Sequence, residues 1–211
     1  MNQGKRINIV VYALIIILII LIVLLVFYRN GSNSLTNNQY VYKNPQGEEF
    51  IFTKSNVDNL TLNVLTAYVD QNGLHQYQIP FRNNPNDLKN ILIESNIKNK
   101  ILNKQGIFIT LNPNLKGGAV IAAVEISRVI GTNDYGVFKI PTQSATTIPT
   151  NTTYPVINCN DATKDTGVIL IGIGNYTRIF SNKECVIVEG DNYDNLIRAA
   201  DKLALHLLNV M

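Results

Sequence analysis

GIFITLNPNLKGGAVIAAVEISRVIG (106–131) decides the fold class. GIFITL is a short apolar run rich in β-branched residues and reads as a buried strand. Asn112-Pro113-Asn114 breaks it as a turn. AVIAAVEISRVI (119–130) then carries good helix formers and is apolar on most sides, which predicts a well-buried helix. Its polar pair, Glu125 and Arg128, is spaced i,i+3 and is expected to join on the one wet face. A second strand–helix pairing closes the chain. CVIVEG (185–190) reads as a strand and the helix that follows runs from about Tyr193 to Val210. Leu196, Ala200, Leu203 and Leu207, with Ile197, Ala204 and Leu208, line its apolar face. Arg198, Asp201, Lys202, His206 and Asn209 line the opposite, polar face. Asp191 is placed to cap the first turn and Asp194 to pair with Arg198. Two such units make a layered α/β or α+β domain the expected architecture.

Upstream the pattern is β. Tyr40 and Tyr42 alternate before Asn44-Pro45-Gln46-Gly47, and Phe50 and Phe52 after it. Pro at the second and Gly at the fourth position of a type I turn predict a hairpin. LTLNVLTAYV (60–69) and YQIPF (77–81) read as further strands, and residues 86–104 suit either a short helix or a strand. GVFKI (136–140) is expected to be a short strand. PTQSATTIPTNTTYPV (141–156), with three prolines, reads as a surface loop or a linker between sub-lobes. GVILIGI (167–173), YTRIF (176–180) and CVIVEG look like consecutive strands.

The N-terminus is of another kind. Residues 7–27, INIVVYALIIILIILIVLLVF, hold Asn8 as the one clearly polar side chain. As a helix the run is about 31 Å long, close to the hydrocarbon thickness of a bilayer. Only a helix satisfies its backbone polar groups there. A cleaved signal peptide would carry a shorter core and a small-x-small site, whereas this run leaves through Phe27, Tyr28 and Arg29. The expectation is an uncleaved anchor spanning the lipid bilayer once. Lys5 and Arg6 precede it and Arg29 follows, which keeps the N-terminus cytoplasmic and sends residues 30–211 outward. The plan is a cytoplasmic stub (1–6), a transmembrane helix (7–27), a tether (28–38) and an extracytoplasmic α/β domain (39–211), with a sub-boundary at 141–156.

Charge narrows the function. Of 18 basic residues against 15 acidic ones, three flank the anchor, so the exported part is formally neutral. That argues against nucleic-acid binding, which shows a basic footprint. The two cysteines, Cys159 and Cys185, lie outside the membrane on this topology and are expected to form a disulfide. Four N-x-S/T sequons, at Asn30, Asn59, Asn151 and Asn175, occur at about the chance frequency.

Chemistry-bearing constellations are sparse. Lys116, Gly117 and Gly118 stand at a predicted helix N-terminus, an anion site in principle, although tight-turn glycines explain the pattern and no P-loop is formed. Gly172-Ile173-Gly174-Asn175 lacks the third glycine and the following helix of a dinucleotide fingerprint, so it reads as a turn. NCNDATKDTG (158–167) is oxygen-rich, but its spacing matches no calcium loop and Asx and Thr turns account for it. With His75 beside a turn and His206 on a helix, no catalytic trio, cofactor motif or metal-ligand set assembles. Arg82, next to an apolar strand, is expected in a structural ion pair.

NDATKDTGVILIGIGNYTRIF (160–180) and ECVIVEGDNYDNLIRAADKLALHLLNVM (184–211), with HQYQIPFRNNPNDLKNI (75–91) and GGAVIAAVEISRVIG (117–131), resemble an uncharacterised family of small archaeal single-pass membrane proteins. EGDNYDNLIRAADKL (189–203) is similar to the ending of some archaeal surface-layer-associated proteins. The resemblance implies a cell-envelope setting and no activity. The function expected is therefore a membrane-anchored envelope binding or structural module with an envelope protein as partner. The alternatives are an exported enzyme or anion-binding protein using loop 112–118, and a pilin-like subunit.

Overall fold

The computed structural model describes residues 18, 20–22, 36–68, 76–115, 117–132 and 136–211. The predicted anchor falls mostly outside them. Leu18 and residues 20–22 are helical and exposed, and among the described residues no helix is long and apolar enough to cross a membrane. Residues Asn38–Met211 form one compact unit of mixed α/β structure.

Four strands make an antiparallel meander: β1 (Gln39–Lys43), β2 (Glu49–Val57), β3 (Leu60–Tyr68) and β4 (Gln76–Phe81). The expected hairpin is present. Tyr40 faces Phe52 and Tyr42 faces Phe50, so the four rings share one face, and Tyr40 stacks on Phe52 at 5.4 Å. Its turn closes with Gly47 N–H donating to Asn44 O at 3.0 Å, and Gly47 takes φ +90°, a value that favours glycine.

The ambiguous stretch resolves into a 3-10 turn (Pro85–Leu88), a two-residue β5 (Leu92–Ile93) and a short helix α1 (Ile97–Leu102). A six-stranded sheet follows, in the order β5-β9-β10-β8-β6-β7. Its strands are β6 (Gly106–Leu111), β7 (Thr142–Thr146), β8 (Thr166–Ile173), β9 (Arg178–Asn182) and β10 (Cys185–Gly190). β7, β6, β8 and β10 run parallel, while β9 is antiparallel to β10. β10 inserts between β8 and β9, so the last three strands are consecutive in sequence but not in the sheet. Helix α2 (Gly117–Ile130) follows β6 and helix α3 (Tyr193–Leu207) follows β10.

GVFKI is not a strand. The N–H groups of Val137 and Phe138 go to Val129 O, and that of Ile140 to Ile130 O. These residues therefore cap the last carbonyls of α2 instead of entering the sheet. The strand forms one step later, in TQSAT, within the stretch expected to be a loop. Pro141, just before it, gives only its carbonyl to the ladder, accepting from Ile107 N–H at 2.9 Å, so its missing N–H costs nothing there.

The two helices lie between the sheets. Phe52, Leu65 and Phe81 of the meander share one core with Ile169, Ile171 and Val188 of the six-stranded sheet and with Ala122, Ile126, Leu196 and Leu203 of the helices. Every residue from Ala199 to Leu205 is buried, so α3 is enclosed all round. The expectation of a wet Asp201/Lys202 face is thus overturned, because the meander covers the side that a single sheet would leave to solvent. Asn192, not Asp191, caps α3, its side chain accepting from Asn195 N–H at 2.9 Å. Arg198 donates to Asp87 O at 2.6 Å and not to Asp194.

The outer face of the six-stranded sheet is closed by residues 156–166. Cys159 and Cys185 form a disulfide across 26 residues, with Cα atoms 5.1 Å apart. Thr110 Oγ1 donates to Ile157 O at 2.8 Å. The buried Lys104 ammonium donates to Thr163 O at 2.6 Å, Lys164 O at 3.1 Å and Glu184 Oε2 at 2.6 Å. That ammonium is fully satisfied, as a buried cation must be.

Candidate functional site

The carboxyl ends of β6, β8 and β10 are where an open α/β sheet presents its loops, and ligands gather there in many such folds. The N-termini of α2 and α3 meet at this edge. A Cβ on Gly118 would stand 2.7 Å from Tyr193 Cβ, so Gly118 is small because a ring packs on it. Gly117 has open space around it. Lys116 lies outside the described residues, as does His75. Other polar groups here are already engaged. Asn112 Oδ1 accepts from Asn114 N–H at 2.9 Å, closing an Asx turn. Asp191 Oδ1 accepts from Asn195 Nδ2 at 2.6 Å, Asn192 Nδ2 at 3.0 Å and Thr177 Oγ1 at 3.2 Å. The Asn195 bond is the chief reason its carboxyl sits below the usual range. A Cβ on Gly174 would stand 1.6 Å from Glu189 Oε1, which accepts from Asn175 N–H at 3.0 Å. The Gly-x-Gly element is therefore a turn shaped around a carboxylate.

A second cluster joins the helices to the end of β4. Glu125 is 3% exposed. It receives Arg82 Nε at 3.0 Å on one oxygen and Arg128 Nη1 at 2.7 Å on the other, while Arg128 also reaches Pro80 O at 2.9 Å. The Glu125–Arg128 pair thus forms as its spacing predicts, but buried and not on a wet face. Arg82 has the structural pairing expected of it. Asp201 Oδ2 accepts from both Asn83 N and Asn83 Nδ2 at 2.9 Å, and its Oδ1 has no partner among the described residues. Burial first, and the charge of Glu125 second, push the Asp201 carboxyl up to about 7. A perturbed carboxylate often marks an active site. Asp201 is sealed beneath the meander, out of a substrate's reach, and with the buried Glu125 it clamps one sheet to the helical layer.

The surface without such an explanation lies along α2 and β7. Val120 and Val124 are 51% and 46% exposed on a helix whose sequence predicts burial on most sides, with Glu125 and Arg128 as its one wet face, and Tyr154 nearby is 54% exposed. They border a groove of about 200 Å³ that Leu111, Ala123 and Ala145 also line. A neighbouring hollow of about 340 Å³ shares Ile109, Ser127 and Ser144 with it and continues to Thr142. Neither lining contains a charged residue.

β7 forms the rim of this groove and ends the sheet. Ile107 N–H donates to Pro141 O and Thr147 N–H to Leu111 O, which sets the phase of the parallel ladder. Residues 141, 143, 145 and 147 bond to β6, and the alternate residues Thr142, Ser144 and Thr146 turn their amides outward. Those of Thr146 are taken, its N–H by Pro155 O at 3.0 Å and its C=O by Ile157 N–H at 2.9 Å. The amides of Thr142 and Ser144 find no partner among the described residues. Sequence reasoning missed this surface because TQSAT was read as loop. The overlooked signal was a helix apolar on most sides beside a short Thr-containing run between prolines.

No family model matches the chain, and neither a curated protein nor a solved structure is significantly similar to it.

Proposed function

We propose that this protein is an envelope binding and structural module, tethered by residues 7–27 in the membrane with its N-terminus in the cytoplasm and its α/β domain outside. The observation that carries the binding half is the exposed valine stripe of α2. An apolar helix is stable in water when its sides are covered, and here one side stands open beside an unfilled strand edge. A groove with a small apolar floor and free backbone donors and acceptors suits a protein partner. The disulfide supports the location, since such bonds persist in oxidising compartments. The resemblance to small archaeal single-pass proteins fits the same setting.

The test is a photo-crosslinking residue at position 124 of the full chain in native membranes, with position 49, exposed at the start of β2, as control. A discrete adduct from 124 and none from 49 is the expected result. No adduct from 124 refutes the reading.

A further inference from the structure

We infer that Asn151 is the acceptor of an N-linked oligosaccharide, transferred from a lipid-phosphate carrier. The inference rests on the proposed location of the domain outside the cytoplasm. It adds a modification site to that reading.

The four N-x-S/T sequons are no more frequent than chance, so their number decides nothing. What separates them is the state of the two side chains the reaction needs. The acceptor is the Asn amide, and the Ser or Thr hydroxyl two residues on must enter the transferase with it. Both have to be free of the fold. Asn30 lies outside the described residues. In Asn59-Leu60-Thr61 the hydroxyl is engaged. Thr61 belongs to β3, faces Asn56 across the hairpin and donates its Oγ1–H to Asn56 Oδ1 at 2.9 Å. In Asn175-Tyr176-Thr177 the Asn175 N–H donates to Glu189 Oε1 at 3.0 Å. Thr177 Oγ1 donates to Asp191 Oδ1 at 3.2 Å and accepts from Asp191 N–H at 3.4 Å. The fold therefore holds both of these sequences in place.

Asn151-Thr152-Thr153 differs at each point. All three residues are exposed. Neither the Asn151 amide nor the Thr153 hydroxyl has a partner among the described residues. The local turn is closed by their neighbours instead. The hydroxyls of Thr150 and Thr152 share a hydrogen bond at 2.6 Å, and Thr152 N–H donates to Thr150 Oγ1 at 3.3 Å. Residues 148–154 make no backbone–backbone hydrogen bond. The two feet of the loop are fixed, Thr147 N–H donating to Leu111 O and Thr146 N–H to Pro155 O. A surface loop pinned at its ends and unbonded between them can bend into an enzyme's cleft without breaking a strand. Folding thus leaves this acceptor open and closes the other two.

The reaction is a substitution at the anomeric carbon of the sugar. Asn151 Nδ2 forms a bond to C1. The bond from C1 to the carrier's phosphate oxygen breaks, and its electron pair leaves with the phosphate. The amide gives up one proton to a base of the transferase. No oxidant or reductant takes part.

Trypsin separates the sequons, with Asn151 in peptide 140–164, Asn59 in 55–82 and Asn175 in 165–178. In the full chain purified from its own membranes, then reduced and alkylated, peptide 140–164 should carry an added oligosaccharide mass. Electron-transfer fragmentation should place it on Asn151, and the other two peptides should be unmodified. Asn151→Gln and Thr153→Ala should each abolish the adduct and increase gel mobility. Thr153→Ser, which keeps the hydroxyl, should retain it. Glu49→Cys, at an exposed position, reports the side of the membrane through its reaction with an impermeant maleimide in intact cells.

An unmodified peptide 140–164 in a chain whose position 49 is labelled overturns the inference and leaves the envelope-module reading in place. So does occupancy of Asn59 or Asn175 equal to or above that of Asn151. An unmodified peptide with position 49 protected until lysis removes both.

Discussion

Replacing Asp201 by asparagine should change how stability depends on pH, and the sign follows from where the carboxyl sits. In the folded protein its pKa is about 7, against an ordinary value of 3.8. Below pH 4 the group is protonated in both folded and unfolded chains, and stability is fully present. Between pH 4 and pH 7 the unfolded chain has lost its proton while the folded one holds it. Folding must then carry that proton against its tendency to leave, and stability falls as pH rises. Three pH units at 1.36 kcal/mol each give a loss on the order of 4 kcal/mol, complete near pH 7. Asparagine keeps an oxygen to accept both bonds from Asn83 and cannot ionise. Urea unfolding of the Asn38–Met211 unit, disulfide intact, at half-unit steps from pH 4.5 to 8 reads the effect. Other titrating groups act alike on both proteins, so the difference between the curves isolates Asp201. The variant should gain on the wild type up to about pH 7, hold that gain above it, and be the more stable protein at pH 8. Parallel curves would refute the argument, since they would mean that Asp201 is ionised in the fold.

Three further outcomes are expected. Removing the disulfide as Cys159→Ala/Cys185→Ala frees a loop of 26 residues and should cost about 3–4 kcal/mol, read as a lower urea midpoint that reductant no longer shifts. Gly118→Ala pushes a methyl into Tyr193 and should cost about 1–3 kcal/mol, whereas Gly117→Ala enters open space and should be close to neutral; equal melting temperatures for the two would contradict the packing role of Gly118. Lys104→Met removes the three contacts holding the 163–164 carbonyls and Glu184, and hydrogen exchange should rise over residues 158–166 while the β8 and β10 amides stay protected.

Local chemistry made much of this legible beforehand. The Asn44–Gly47 turn and the alternating aromatics around it specify a hairpin and its register, because turn geometry and side-chain alternation act over a few residues. GIFITL and CVIVEG announce buried strands, and the helices after them follow from composition and period. Cys159 and Cys185, alone in the chain, had one partner each to find. Tertiary structure decided what depends on a second layer. Asp201 and Lys202 sit where an amphipathic helix would be wet. They are buried because the meander returns over α3, and no periodicity within α3 encodes that return. Glu125 and Arg128 found each other as spacing predicts, but Arg82, 43 residues upstream, joined them only once β4 crossed α2. TQSAT became a strand because β6 offered it a ladder. That same ladder left the outer amides of Thr142 and Ser144 and the valines of α2 facing outward. The sequence by itself determined which segments are apolar and how each is locally shaped. Which apolar side ends up covered is a property of the assembled layers, since burial is a relation between elements distant in the chain.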